Sequence, residues 1–128
     1  MAEFRIQKKT SLTFDQALAR VPEALKAEGF GILTQIDVQA TLKEKIGAEF
    51  RPYRILGACN PKLAFRALTS ELEVGVMLPC NVIVYEGDDG KAVVTAIDPM
   101  ATIAATHPGL NVIAGEVKFA LQRALSAV

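Results

Sequence analysis

Tryptophan is absent from this chain, histidine occurs once, and cysteine twice in 128 residues. A single histidine excludes multi-histidine metal centres and offers little general-base capacity near neutral pH. Two cysteines cannot build the disulfide scaffold of a small secreted domain, and no Cys-x-x-Cys pair exists for thioredoxin-type exchange. Excess charge is missing too: 14 Lys and Arg balance 14 Asp and Glu. A nucleic-acid partner requires a basic face that displaces counterions, so none is expected. The small basic groups Lys8-Lys9 and Arg51/Arg54 read as solvated surface, although the two arginines flank Tyr53 where they would be able to clamp an anion. No run approaches the roughly 18 apolar residues of a membrane span. The most apolar region, Val74 to Tyr85, is broken by Pro79 and Asn81. The segment Met1–Ser11 has no apolar core of signal-peptide length. The expectation is a cytoplasmic protein with reduced thiols and no membrane partner.

Recognisable catalytic motifs are lacking as well, which leaves open whether the chain is an enzyme. Gly29-Phe30-Gly31 precedes a strand instead of following one, the wrong context for a dinucleotide turn. No serine sits in a nucleophile elbow. No cofactor is evident, and the spacing of the Cys and Asp residues does not demand a metal.

The composition that remains is 51% hydrophobic and 22% charged, ordinary for a globular protein. The length suits one domain, residues 1–128, large enough to bury a core without staples. Phe4, Ile6 and Lys8 alternate with polar residues, as a first strand does. Thr13 and Gln16 have capping-box spacing and open a helix carrying Phe14, Leu18, Val21 and Leu25 on one stripe. Pro22 conflicts with that helix and predicts a kink or a break, because an interior proline costs about 3 kcal/mol. Gly29 is the expected stop. Phe30–Asp37 reads as a strand, and Asp37 caps a short helix, Val38–Ile46, ended by Gly47.

Arg54–Ala58 is a short apolar strand. Asn60-Pro61 supplies a cap and an N1 proline for a helix whose stripe is Leu63, Ala64, Ala67 and Leu68. Cys80–Glu86 and Ala92–Asp98 flank the turn signal Gly87-Asp88-Asp89-Gly90 and form a hairpin. Asp98-Pro99 opens a short helical turn that His107-Pro108-Gly109 breaks. A last helix, about Asn111 to Ser126, aligns Ile113, Val117, Leu121 and Leu125. The order β-α-β-α-β-α-β-β-α contains a hairpin. It therefore predicts an α+β fold, a mostly antiparallel sheet with helices packed on one face.

Two cysteines stand where strands meet other structure. Cys59 ends a strand just before Asn60 and a helix start, where the helix dipole favours a thiolate. Cys80 begins a strand beside Pro79. If these strands are neighbours, both sulfurs face one pocket, although free cysteine is most often a small buried hydrophobe. Asp37 and Asp98 each end a strand and precede a helical turn. Capping explains both; convergence of Asp37, Cys59 and Asp98 at one rim of the sheet is the functional alternative. His107 reads as a loop residue, and Tyr53 and Tyr85 as partly buried rings.

The ordered segments GFGILTQID, LGACNPKLAFRAL and LPCNVIVYE, followed by the late Asp-Pro, resemble the domain-of-unknown-function 302 family from about Thr13 to Leu125. The resemblance implies a small α+β fold grouped with TBP-like sheets and a homodimer; it implies no established activity. Many members carry Arg where this chain has Asn81, and a charged or polar residue where it has Phe65. Three functions follow as alternatives. One is a small-ligand-binding module with a pocket near Cys59, Asn60 and Cys80, with Asp37 and Asp98 as rim residues and Ile32, Leu56, Val82 and Val84 as lining. Another is a cysteine-dependent redox or metal-binding protein. The third is a structural homodimeric interaction subunit.

Overall fold

The computed structural model describes residues 4–128, so the first three residues of the Met1–Ser11 segment lie outside it. The elements run β1 (Arg5–Lys9), α1 (Phe14–Ala27), β2 (Gly31–Asp37), α2 (Val38–Ile46), β3 (Tyr53–Cys59), α3 (Pro61–Ser70), β4 (Cys80–Glu86), β5 (Ala92–Ile97), α4 (Ile103–Thr106) and α5 (Asn111–Ser126). Short 3-10 turns at Leu72–Met77 and Pro108–Leu110 complete them. Among the described residues five strands make one sheet in the order β1-β5-β4-β3-β2, and every neighbouring pair is antiparallel. The expected α+β architecture is therefore the observed one.

Local chemistry sets the boundaries. The Thr13 side chain accepts from Gln16 N while Gln16 returns a bond to Thr13 N, closing the capping box of α1. Asp37 Oδ1 accepts from Ala40 N at 2.9 Å and starts α2. Gly47, at φ 67°, takes the left-handed conformation that ends it. Asn60 Oδ1 accepts from Leu63 N, with Pro61 at the first helical position of α3.

Pro22 does not break α1, a break being one of the two outcomes the sequence predicts: the helix runs without interruption from Phe14 to Ala27. The reason lies in its buried face. Ala17, Val21 and Leu25 have no exposed surface, and burying a Val or Leu contributes about 1.5–3 kcal/mol each. Together these exceed the cost of one interior proline.

Side-chain alternation sorts the sheet into two faces. Leu56 and Ala58 on β3, Cys80, Val82 and Val84 on β4, and Ala92, Val94 and Ala96 on β5 point to one side. There they pack in a single core with Val21 and Leu25 of α1 and Val117, Leu121 and Leu125 of α5. A smaller cluster beside it joins Ala67 of α3, Val74, Ile103 and Leu110. The opposite face carries Ile36, Tyr53, Ile55, Ile83, Tyr85 and Val93, turned away from α1 and α5.

A cavity between the two cysteines

Antiparallel pairing decides which strand ends meet. Ala58 stands opposite Cys80, and Gly31 opposite Cys59. The end of β3 and the start of β4 thus share one rim of the sheet, and Cys59 and Cys80 are diagonal neighbours there. The directly opposed position, where Cβ atoms lie about 4.5–5.5 Å apart, belongs to Ala58.

Both cysteines line a narrow cavity of about 40 Å³. Its walls are Phe30, the Leu63, Ala64 and Ala67 stripe of α3, Leu78 and Pro79, Ile103 and Leu110, and Ile113, Ala114 and Val117 of α5. It lies between the main core and the smaller cluster, under the α3–α5 contact. A void needs at least 10–15 Å³ to hold one water, so this one accepts a guest of a few heavy atoms. Small residues create the space: Ala58, Ala64, Ala67 and Ala114 stand where a leucine would fill it.

Polar groups at the cavity are few. Asn60 lines it, with its amide half engaged: Oδ1 accepts from Leu63 N at 3.3 Å and Nδ2 donates one N–H to Glu28 O at 3.4 Å. This second bond ties the start of α3 to the end of α1. Gly29 sits beneath it at φ 87°, and a Cβ there would come within 3.0 Å of Asn60 Nδ2. Among the described residues no carboxylate or imidazole lines it. Both sulfurs are free thiols, Cys59 half-buried and Cys80 buried. Burial pushes the Cys80 thiol up to about 11, with the neighbouring Cys59 adding to the rise. Cys80 is therefore protonated at neutral pH and a weak nucleophile.

The other candidate residues lie elsewhere. Asp37 pairs in register with Arg54, at the opposite rim from Cys59. Five residues of β3 separate those rims, about 17 Å at the rise of a strand. Its Oδ2 meets Arg54 Nη2 at 3.2 Å. Asp98 follows β5 and lies at the cysteine rim, yet it does not line the cavity. Its carboxylate accepts from Met100 N at 2.9 Å and meets Lys118 Nζ of α5 at 2.9 Å. The structure thus gathers Cys59, Asn60 and Cys80 and separates both aspartates from them.

The predicted lining requires correction. Leu56, Val82 and Val84 have no exposed surface and belong to the sealed core. Ile32, on the edge strand, packs against it. Of the residues that line the cavity on α3 and α5, Leu63, Ala64, Ala67, Ile113 and Val117 belong to helical stripes visible in the sequence and Ala114 does not; such stripes carry no signal that two of them meet imperfectly. The anion clamp fails as well. Arg51 is engaged by Asp88 at 3.0 Å and by Glu86 O, and Arg54 by Asp37 and Gln35. Tyr53 and Tyr85 stack at 5.5 Å between centroids, and burial together with Tyr85 raises the Tyr53 phenol.

Comparison with known proteins agrees with this architecture. The family model described as a domain of unknown function, DUF302, matches residues 6–128. The crystal structure of an uncharacterized conserved DUF302 protein from Bacillus stearothermophilus superposes with a TM-score of 0.88 at 34% identity, covering 97% of each chain. No curated protein matches. A match across nearly the whole chain, joined to this structural likeness, confirms the resemblance carried by the CNP and LPC segments: the chain belongs to the DUF302 family.

Proposed function

We propose that the protein is a binding module for a small, uncharged, largely apolar molecule, held in the cavity between Cys80, α3 and α5. The observation that carries this reading is a void of about 40 Å³ at the two cysteines with apolar walls. Its one polar side chain, Asn60, is neutral and holds one bond at each amide atom within the protein. A charged ligand would lose its hydration there and gain no counter-charge. A compact apolar guest gains contacts that the walls now lack.

Redox or metal chemistry at the cysteines ranks behind it. Thiol redox chemistry demands a thiolate, and burial holds Cys80 in the thiol form; among the described residues no group of three or more His, Cys, Asp or Glu is placed to hold a metal ion. A homodimer, which the family resemblance implies, is compatible with the binding reading. Leu33 and Ile36 of β2 and the nearby Phe50 are 43–67% exposed, and α2 has no buried residue.

Xenon is a suitable probe because it is small, apolar and uncharged. Amide NMR under xenon pressure should show saturable shifts confined to residues around Cys80, Ala64 and Ala114. Ala114→Leu should abolish them while the remaining spectrum stays folded. Linear, unsaturated shifts spread over the surface, or saturable shifts that survive Ala114→Leu, would refute the proposal.

A further inference from the structure

The sheet has two edges, and their chemistry differs. The β1 edge is five residues long and carries Arg5, Lys8 and Lys9. Short length and repeated cations are the usual means of keeping an edge from pairing with another chain. The β2 edge, GILTQID, is seven residues long, and Asp37 is its one charged residue. That charge is neutralised by Arg54 on the adjacent strand. It carries no lysine and no proline. Five of its seven residues are exposed, Leu33 at 67% and Ile36 at 48%. A register irregularity lies between Ile32 and Thr34, whereas Thr34–Asp37 pairs regularly with Gly57–Arg54. One side of that regular segment is satisfied by β3. The other presents backbone N–H and C=O groups with no strand beside them among the described residues.

We propose that β2 is the edge through which two copies of this chain pair, antiparallel across a two-fold axis, into one continuous ten-stranded sheet. This rests on the homodimer reading above and names the surface that would produce it. The choice of occupant follows from charge. At a two-fold axis the residue on the axis meets its own copy and its neighbours meet one another, so like charges within the paired segment repel. Gly31–Ile36 contains none, and β1 could not pass this test. An antiparallel ladder is also self-complementary in hydrogen bonding, so no second sequence is needed. The zero net charge of the chain leaves no overall repulsion between copies. The α2 helix, which follows β2 without a loop and has no fully buried residue in the single chain, would lie beside the junction and gain contacts there.

The test is the solution mass of the full chain, wild type against a Leu33→Lys/Ile36→Lys double variant, by light scattering after gel filtration. Both side chains are exposed, so the fold should survive, which circular dichroism checks. The expected result is a dimer for the wild type and a monomer for the variant, with a Gln7→Lys variant on the β1 edge remaining dimeric. A wild type that is monomeric at about 100 μM, where even a weak micromolar dimer would be populated, overturns both the homodimer reading and this edge. A double variant that stays dimeric overturns the edge alone. Should the variant unfold, amide hydrogen exchange on the wild type decides. Protection of β2 amides that rises with protein concentration supports the edge, and concentration-independent exchange overturns it.

Discussion

Asp37 and Asp98 occupy equivalent places in the sequence, each closing a strand and opening a helical turn, yet the fold treats them differently. The Asp37 carboxylate is 39% exposed and shares its charge with an Arg54 guanidinium that is itself 28% exposed. The Asp98 carboxylate is only 9% exposed and is held against Lys118. The first belongs to a rim where the titratable groups named above are already paired: Arg54 with Asp37, Arg51 with Asp88, Tyr53 against Tyr85. The second belongs to the rim where the chain leaves a cavity. Two strand ends with the same local grammar thus lie on opposite rims of the sheet, because β2 and β5 stand three places apart in an all-antiparallel order and so run in opposite directions. One rim is closed by polar pairing. The other is packed by small apolar residues that do not fill the space.

Substituting the two aspartates sharpens that comparison most. Asp98→Ala removes a buried partner from Lys118 and from Met100 N. It should lower unfolding free energy by about 2–3 kcal/mol, below the usual loss for a broken buried pair because Lys118 can turn to water. Asp37→Ala removes an exposed cap and an exposed pair, for about 1 kcal/mol. Urea unfolding measures both, and equal losses would erase the distinction between the rims.

Alkaline pH is the next lever. The Cys80 thiol stays protonated up to about 11 in the folded state, against an ordinary value of 9.0. Between those values the unfolded chain has lost a proton that the native state keeps, so stability falls as pH rises. The loss is of order 2–3 kcal/mol by pH 11. Tyr53, also raised, contributes in the same direction from the other rim. Denaturation curves from pH 8 to 11 should show the decline, and Cys80→Ala should remove the cysteine share while leaving that of Tyr53. An unchanged slope in Cys80→Ala would contradict the burial assigned to this thiol.

Smaller effects separate the two cysteines. Cys80→Ser places a hydroxyl among apolar walls and should cost about 1–2 kcal/mol. Cys59→Ser, at a half-buried position, should cost within about 0.5 kcal/mol. Thermal unfolding of the pair tests this, and the reverse order would mean that Cys59 is the better-packed sulfur.

Much of this fold was legible in the residues because punctuation is local. Thr13 with Gln16, Asp37, Asn60-Pro61 and the Gly87–Gly90 turn all act within a few residues of themselves, and each does what its chemistry predicts. Pro22 differs for the opposite reason. Its helix is kept whole by Val21 and Leu25, whose partners lie on other strands and helices. The candidate site was legible in part. Cys59, Asn60 and Cys80 share a rim because β3 and β4 are neighbours, a condition that the sequence leaves open. The exclusion of Asp37 depends on strand parity, and that of Asp98 on Lys118 of α5, which is distant in sequence. The cavity walls were hidden as well: periodicity reveals the stripes of α3 and α5, while the gap between them depends on how far apart tertiary packing sets them.

Access to Cys80 tests the central claim, that the cysteine rim holds a cavity open to small uncharged molecules. The measurement is the rate at which folded protein is modified at Cys80 by an uncharged methanethiosulfonate, compared with a cationic analogue carrying a trimethylammonium group, each normalised to the rate at Cys59. The account predicts that the uncharged reagent reaches Cys80 faster than the cationic one, and that Ala114→Leu removes the difference. Equal rates for both reagents, matching the global opening rate from hydrogen exchange, would mean that Cys80 is reached only by unfolding and would contradict the claim.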